Sequence, residues 1–311
     1  MAVKSGFTRR NPFKHKNTIA LFTMMIPGLC YLIINNYIPM AGLLIAFKRY
    51  DFGKGIFGSE WCGLSNFTYL FRTRDAVNII RNTLLYNLAF IVLGNILAVT
   101  VAVMLNFLKG KLSKKIYQTL ILVPYLVSMV IVSYIVYGFL STESGFLNKL
   151  IQSFGGEAIN WYTQGKYWPF ILIFVYLWKS FGYNSILYYA TVIGIDSALY
   201  EAAAIDGAGK WKQVWNVTLP GLKATITTMV LLAVGRMFFS DFGLFYQVPM
   251  HSGLIADVTD TIDVYVYKGL LQLNDIGRSS AAGFLQSVLG FVLILTVNFI
   301  VRRVDRDNAL F

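Results

Sequence analysis

Long stretches without a single charged residue constrain this chain more than any other feature. Asn17 to Phe47, Asn82 to Leu108, Ile116 to Thr142 and Ser279 to Val301 contain no Asp, Glu, Lys or Arg. A helix crossing the hydrocarbon core of a bilayer needs about 20 apolar residues, so each stretch is long enough to span. Two further apolar runs carry isolated charges: Tyr167 to Ile195 holds Lys179, and Ala224 to Val248 holds Arg236 and Asp241. The pattern predicts an all-α membrane protein with six transmembrane helices. Pro27 and Pro39 fall in the first run and Pro124 in the third, and each can kink its helix. Composition agrees, since 56% hydrophobic and 14% charged residues leave too little polar surface to cover a soluble domain.

The net charge of +12 would suggest nucleic acid on a soluble protein. Here the basic residues lie in short connections between apolar runs, so the expected partner is the lipid bilayer and not nucleic acid. Lys4, Arg9, Arg10, Lys14 and Lys16 precede the first run, and Lys109, Lys111, Lys114 and Lys115 follow the second. Lys210, Lys212 and Lys223 lie between the fourth and fifth runs, and Arg302, Arg303 and Arg306 follow the sixth. Six helices put these four segments on one face, which the positive-inside rule makes the cytoplasm. Both termini are therefore expected there. The expected division is a tail over residues 1–16, a membrane domain over 17–302 that includes a cytoplasmic loop at 196–221, and a tail over 303–311. The first run is too long for a signal-peptide core and reads as a retained helix of a multi-pass protein of the bacterial inner membrane. Cys30 falls within the bilayer and Cys62 outside it, which argues against a disulfide, and His15 and His251 are isolated, so no metal site is expected.

The segment from Ile195 to Pro220 is unusual. Asp196 or Ser197 can cap a short alanine-rich helix over Ala198 to Asp206. Gly207 and Gly209 can end it and turn the chain. A second helix bearing Trp211, Val214 and Trp215 should then run to Pro220, which is expected to end it. Such a knob suits insertion into a cleft of another protein, or it is an amphipathic helix lying on the membrane surface.

The run Glu201-Ala-Ala-Ala-Ile-Asp-Gly207, with Val217, Leu219 and Pro220 behind it, resembles the EAA loop of binding-protein-dependent ABC importer permeases. Gly63-Leu-Ser-Asn-Phe67, Asn82-Thr-Leu84 and Val123-Pro-Tyr125 are similar to the carbohydrate, maltose-type branch, and especially to permeases for complex oligo- and polysaccharides. The resemblance implies a type I importer bundle that moves sugar by alternating access. It implies that Glu201, Ala202, Ala203, Ala204, Asp206, Gly207, Leu219 and Pro220 form a coupling helix held by an ATPase. Implied partners are a second homologous permease, two cytoplasmic ATPase subunits that carry the ATP and Mg, and an extracytoplasmic sugar-binding protein.

The chain itself lacks a phosphate loop. Its four Gly-Lys pairs, at Gly53, Gly110, Gly165 and Gly209, are followed by Gly55, Leu112, Tyr167 and Trp211, never by the Ser or Thr that such a loop needs. No nucleophile sits beside a base, so no enzymatic activity and no cofactor are expected of this chain. An ion-gradient-driven transporter or channel is the alternative, and it leaves the Glu201 to Pro220 segment without a role.

Lys179, Arg236 and Asp241 fall inside predicted spans. Each would cost about 2.5–3.5 kcal/mol at the centre of a lipid-facing helix, so all three should face protein or a water-filled cavity. They either line the substrate path or form an interhelical ion pair such as Lys179 with Asp241. Arg236 and Asp241, five apart on one helix, are poorly placed to pair. Tyr176, Lys179 and Tyr183 share one face of the fourth helix, where Tyr rings and hydroxyls can hold sugar, and Asn184 is a further candidate. Trp161, Tyr162, Tyr167 and Trp168 read as an interfacial aromatic belt.

Overall fold

The computed structural model of the protein describes residues 16–72 and 74–304. The expected tails, with the basic residues Lys4, Arg9, Arg10, Lys14 and Arg306, lie outside the described residues. Five helices among the described residues are long and apolar enough to cross a membrane, and a bent pair makes a sixth span.

The first span runs from Ala20 to Phe47. It begins as α1 (Lys16–Leu32), passes through a π turn at Ile33–Tyr37 and ends in a 3-10 stretch at Ala41–Phe47. Pro27 sits inside α1 without breaking it. Ahead of Pro39 the helix widens by one residue per turn. Proline has no N–H and its ring crowds the carbonyl four residues back, and a π turn relieves both. Every residue from Ala20 to Met40 is exposed, so this helix stands clear of the rest of the bundle.

After Phe47 the chain forms a two-residue hairpin ladder, β1 (Lys48–Arg49) against β2 (Glu60–Trp61), then α2 (Ser65–Arg72) and the long α3 (Arg74–Phe107). Two of the secondary motifs act here as ties. The Asn66 amide donates to the carbonyls of Ala46 and Lys48, both at 3.0 Å. The Asn82 amide donates to the carbonyls of Asp257 and Asp260, also at 3.0 Å.

The third run is bent just after Pro124, as that proline allows, and the bend is a full break. It is two helices, α4 (Lys111–Leu126) and α5 (Met129–Leu140), bent by 90°. Pro124 lies inside α4, and the break follows at Val127, where Ser128 caps α5 by accepting from the Ile131 N–H. A short helix, α6 (Phe146–Ser153), then leads into α7 (Trp168–Ile193), the fourth span. Trp168 is fully buried rather than interfacial. Its indole donates to the Trp161 carbonyl at 2.8 Å, and the Trp161 indole donates to Asn148 at 3.1 Å. These rings pack a core beneath a loop.

The fifth run departs from expectation. Helix α8 (Ser197–Ile205) and α9 (Lys210–Gln213) precede a π turn at Val214–Thr218, which continues directly into α10 (Leu219–Gly235). Pro220 does not end the helix. It occupies the first turn of α10, where its missing N–H costs nothing, and the π turn before it repeats the solution seen at Pro39. The helix instead stops at Gly235, with Arg236 as its C-cap. The chain resumes as α11 (Phe242–Gln247), capped by Asp241. Arg236 and Asp241 therefore flank a break and do not share a helix. Helix α12 (Ile262–Leu271) and α13 (Ile276–Val304) complete the chain.

The most extensive helix–helix contact is between α3 and α7. One buried cluster gathers Tyr86, Phe90, Trp168, Leu172, Val175 and Phe245 at the end nearer the hairpin. A second gathers Ala98, Ala102, Leu105, Tyr188, Val192 and Leu222 toward α8. Between them the bundle is open.

Candidate functional site

The opening is a cavity of about 700 Å³. Tyr176, Lys179, Tyr183, Asn184, Arg236 and Asp241 all line it. Both helix breaks reach it, the third-span break through Tyr125 and Met129 and the fifth-span break through Phe239 and Ser240. Non-helical backbone at membrane depth is tolerated only where protein or water satisfies its polar groups, and each break has its own arrangement.

At the third-span break, α7 supplies a cation. The Lys179 ammonium donates to the carbonyls of Pro124 at 3.4 Å, of Tyr125 at 3.0 Å, and of Val127. At the fifth-span break, the polar groups come from α12 and α13. Asp263 accepts from the Ser240 N–H and hydroxyl, both at 2.7 Å, and Gln286 donates to the Phe238 carbonyl at 2.7 Å. Gln286 also donates to Asp263 at 3.1 Å. Beyond the breaks, α5 and α11 meet closely: a Cβ on Gly243 would stand 2.8 Å from Met129.

All three predicted intramembrane charges thus sit at helix termini. Lys179 meets the carbonyl end of α4, Arg236 caps the carbonyl end of α10, and Asp241 accepts from the Leu244 N–H at the start of α11 at 3.1 Å. Each sign suits the helix dipole it faces. No ion pair joins Lys179 to Asp241 among the described residues.

Two aromatic pairs line the walls. Tyr176 stacks on Phe90 with centroids 3.8 Å apart, and Tyr183 stacks on Tyr125 at 4.4 Å. Each tyrosine has one ring face occupied by protein. Asn87, Asn95 and Ser180 also line the cavity, and sequence reasoning missed them. Their signal was present: Asn87, Ile91 and Asn95 repeat at helical spacing on one face of an otherwise apolar span.

At the other end of the bundle, α8 ends in two closing hydrogen bonds. The Ala208 N–H donates to the Ala203 carbonyl at 2.8 Å, and the Gly207 N–H to that of Ala204 at 3.0 Å. This is a Schellman ending, and Gly207 has the positive φ, 75°, that it requires. At the start, Asp196 accepts from the Ala198 N–H at 2.9 Å. The Tyr200 hydroxyl meets Thr218 at 3.0 Å, fixing α8 to the π turn. Glu201, Ala202, Ala204, Asp206, Gly207 and Pro220 are exposed, whereas Ala203 and Leu219 are half-buried. Ile205 is 88% exposed and Trp211 75%, so the knob presents an exposed apolar tip.

Residues 91–307 match the family of binding-protein-dependent transport system inner membrane components. The chain belongs to that family. The permease is 34% identical over 288 residues to Protein LplB of Bacillus subtilis (strain 168), covering 93% of this chain and 90% of that one. It is 32% identical to the polygalacturonan/rhamnogalacturonan transport system permease protein YteP of the same organism, over 93% of this chain and 89% of that one. Its fold matches one chain of the crystal structure of a bacterial ABC transporter involved in the import of the acidic polysaccharide alginate. The TM-score is 0.85 at 29% identity, over 93% of this chain and 97% of that one. The permease is thus a multi-pass component of the bacterial inner membrane with an ABC importer fold.

Proposed function

We propose that the permease carries an oligo- or polysaccharide through the cavity between its two buried clusters, driven by ATP hydrolysis on partner subunits. The observation that carries this reading is one cavity lined by two stacked aromatic pairs, by polar side chains including Asn87, Asn184, Arg236 and Asp241, and by both helix breaks. Tyrosine hydroxyls, Asn184 and Asn87 suit sugar hydroxyls, and Arg236 and Asp241 add charge at its edge. The names of the relatives support a glycan substrate, as does the alginate importer whose fold the chain shares.

The remaining parts have matching roles. The exposed tip formed by Glu201, Ala202, Ala203, Ala204, Asp206 and Gly207, with Leu219 and Pro220 behind it, docks in an ATPase on the cytoplasmic face. ATP and Mg are bound there and not by this chain. The first span, exposed from Ala20 to Met40, lies against a second homologous permease. An extracytoplasmic sugar-binding protein delivers the substrate at the opposite end, as suggested by the alginate transporter solved with a pentasaccharide-bound periplasmic protein. Both termini are cytoplasmic. ATP-driven closure of the two ATPases moves the knob, and the bundle alternates access to the cavity.

The test is sugar uptake by cells expressing the chain with its partner permease and binding protein, with and without the ATPase subunits. Uptake is expected only when the ATPases are present. Uptake that persists without them and follows an ion gradient would overturn the proposal.

A further inference from the structure

We infer that Lys179 is a positioning residue that fixes the bend of the third span, and that its charge is not offered to the transported sugar. The last carbonyls of any helix lack partners within it, and at the 90° bend between α4 and α5 they must be met by protein or by water in the cavity. An ammonium has three protons to donate. In Lys179 all three have acceptors, the carbonyls of Pro124, Tyr125 and Val127. A cation there also meets the negative end of the α4 dipole.

Two neighbours on α7 hold the same stretch of α4. Gly182 lets the two backbones touch: a Cβ on it would stand 1.7 Å from the Ile121 carbonyl oxygen. Tyr183 stacks on Tyr125 with an interplanar angle of 9°. Residues 179, 182 and 183 thus grip residues 121–127 over a single helical turn. Without the ammonium, the Tyr125 and Val127 carbonyls would lose this donor, the Pro124 carbonyl would keep only the Val127 N–H at 3.3 Å, and the bend would lose a fixed charge. Arg236 differs. Among the described residues no hydrogen bond or ion pair engages its guanidinium, and it lines the same cavity. Arg236 is the cation left for an acidic sugar.

The consequence is a division of labour that a substrate-contact role for Lys179 would not produce. Loss of Lys179 should slow the transport cycle equally for every substrate, with KM unchanged, because the bend frames the cavity whatever fills it. The turnover part of this rests on the sugar-import reading, and the shape of the bend does not.

The experiment uses the assembled transporter, with partner permease, ATPases and binding protein, in proteoliposomes. Cys30→Ser and Cys62→Ser remove the native thiols. Spin labels at Leu120→Cys on α4 and Tyr134→Cys on α5, 58% and 63% exposed, then report the bend by electron–electron distance measurement. Wild type and Lys179→Arg should give one narrow distance, and Lys179→Met and Lys179→Gln a broadened one. Turnover should fall by roughly tenfold or more in Lys179→Met, by the same factor for a neutral and an acidic oligosaccharide. If Lys179→Met does not insert, the comparison of Gln with Arg decides. An unchanged narrow distance in the neutral variants overturns the inference, and so does a defect confined to the KM of the acidic sugar. If even the wild-type complex moves no sugar, the import reading fails while the label distances still decide this one.

Discussion

Asp263 accepts two hydrogen bonds from one residue, Ser240, through its backbone N–H and its hydroxyl, each at 2.7 Å. Ser240 lies within the fifth-span break and Asp263 on α12, and Gln286 completes the contact from α13 at 3.1 Å. The carboxylate therefore stands in for the helical carbonyls that Ser240 lacks. Hydrogen bonds to a charged group contribute about 1.5–3 kcal/mol each. Asp263→Ala should lower the thermal stability of the detergent-solubilised permease by several degrees. Asp263→Asn keeps an acceptor and should lose less. Equal melting of both variants and wild type would show that the break is held by other means.

Gly182 supports a sharper packing prediction. A methyl group there would overlap the Ile121 backbone oxygen, 1.7 Å away, and backbone cannot step aside as a flexible side chain can. Overpacking of this kind costs about 1–3 kcal/mol. Gly182→Ala should reduce the folded fraction recovered from membranes. Gly138→Ala is the control, because nothing lies within 4 Å of its added Cβ and alanine is the better helix former. Size-exclusion profiles of the two variants should diverge, and matching profiles would sink the close-contact argument.

The loop ahead of α7 pairs a fully satisfied residue with an unsatisfied one. The Asn148 amide donates to the carbonyls of Ser141, Thr142 and Ile159, and its oxygen accepts from the Ile159 N–H and the Trp161 indole. Asn148→Ala strands several buried groups at once, at about 1–3 kcal/mol for each one left without a partner. The Tyr162 hydroxyl is buried without a hydrogen-bond partner among the described residues, and burial pushes its phenol pKa above the ordinary value. The group is thus neutral at physiological pH and contributes no hydrogen bond. Tyr162→Phe should melt at or above the wild-type temperature, and Asn148→Ala well below it. A large loss in Tyr162→Phe would mean the hydroxyl has a partner in the assembled transporter.

Much of this was legible in the sequence because a bilayer leaves few choices. Charge-free runs can only be helices, and charges interrupting such runs mark cavities or breaks. That is why Tyr176, Lys179, Tyr183, Asn184, Arg236 and Asp241, picked from two separate runs, line one cavity. What escaped was where helices stop. Apolar periodicity looks the same on both sides of Val127 and of Ser240, so the fifth span read as continuous and the third as one helix with a kink at Pro124. The residues that make the breaks tolerable, Lys179, Asp263 and Gln286, lie 23 or more positions away in sequence and only tertiary contact reveals them. Pro220 misled for the opposite reason: a proline reads as a stop, but one π turn ahead of it lets the helix continue.

Gly207 allows the proposed coupling role of its segment to be tested without disturbing the bundle. Nothing lies within 4 Å of a Cβ built on it, so space does not limit the residue there. Its φ of 75° does. A left-handed conformation costs an ordinary L-residue about 1–2 kcal/mol, with Asn the best tolerated after Gly. Substitution should therefore redirect the turn between α8 and α9 by an amount set by backbone preference, not by bulk. Sugar uptake and sugar-stimulated ATPase activity should fall in the order Gly, Asn, Ala, Val. The amount of permease in the membrane should stay near wild type, because α8 makes few contacts with the spanning helices. Valine, β-branched at the wrong φ, should abolish uptake while the ATPases hydrolyse ATP without responding to the binding protein. Uptake by Gly207→Val at the wild-type rate would separate this turn from coupling, and the apolar tip at Ile205 would then need another partner.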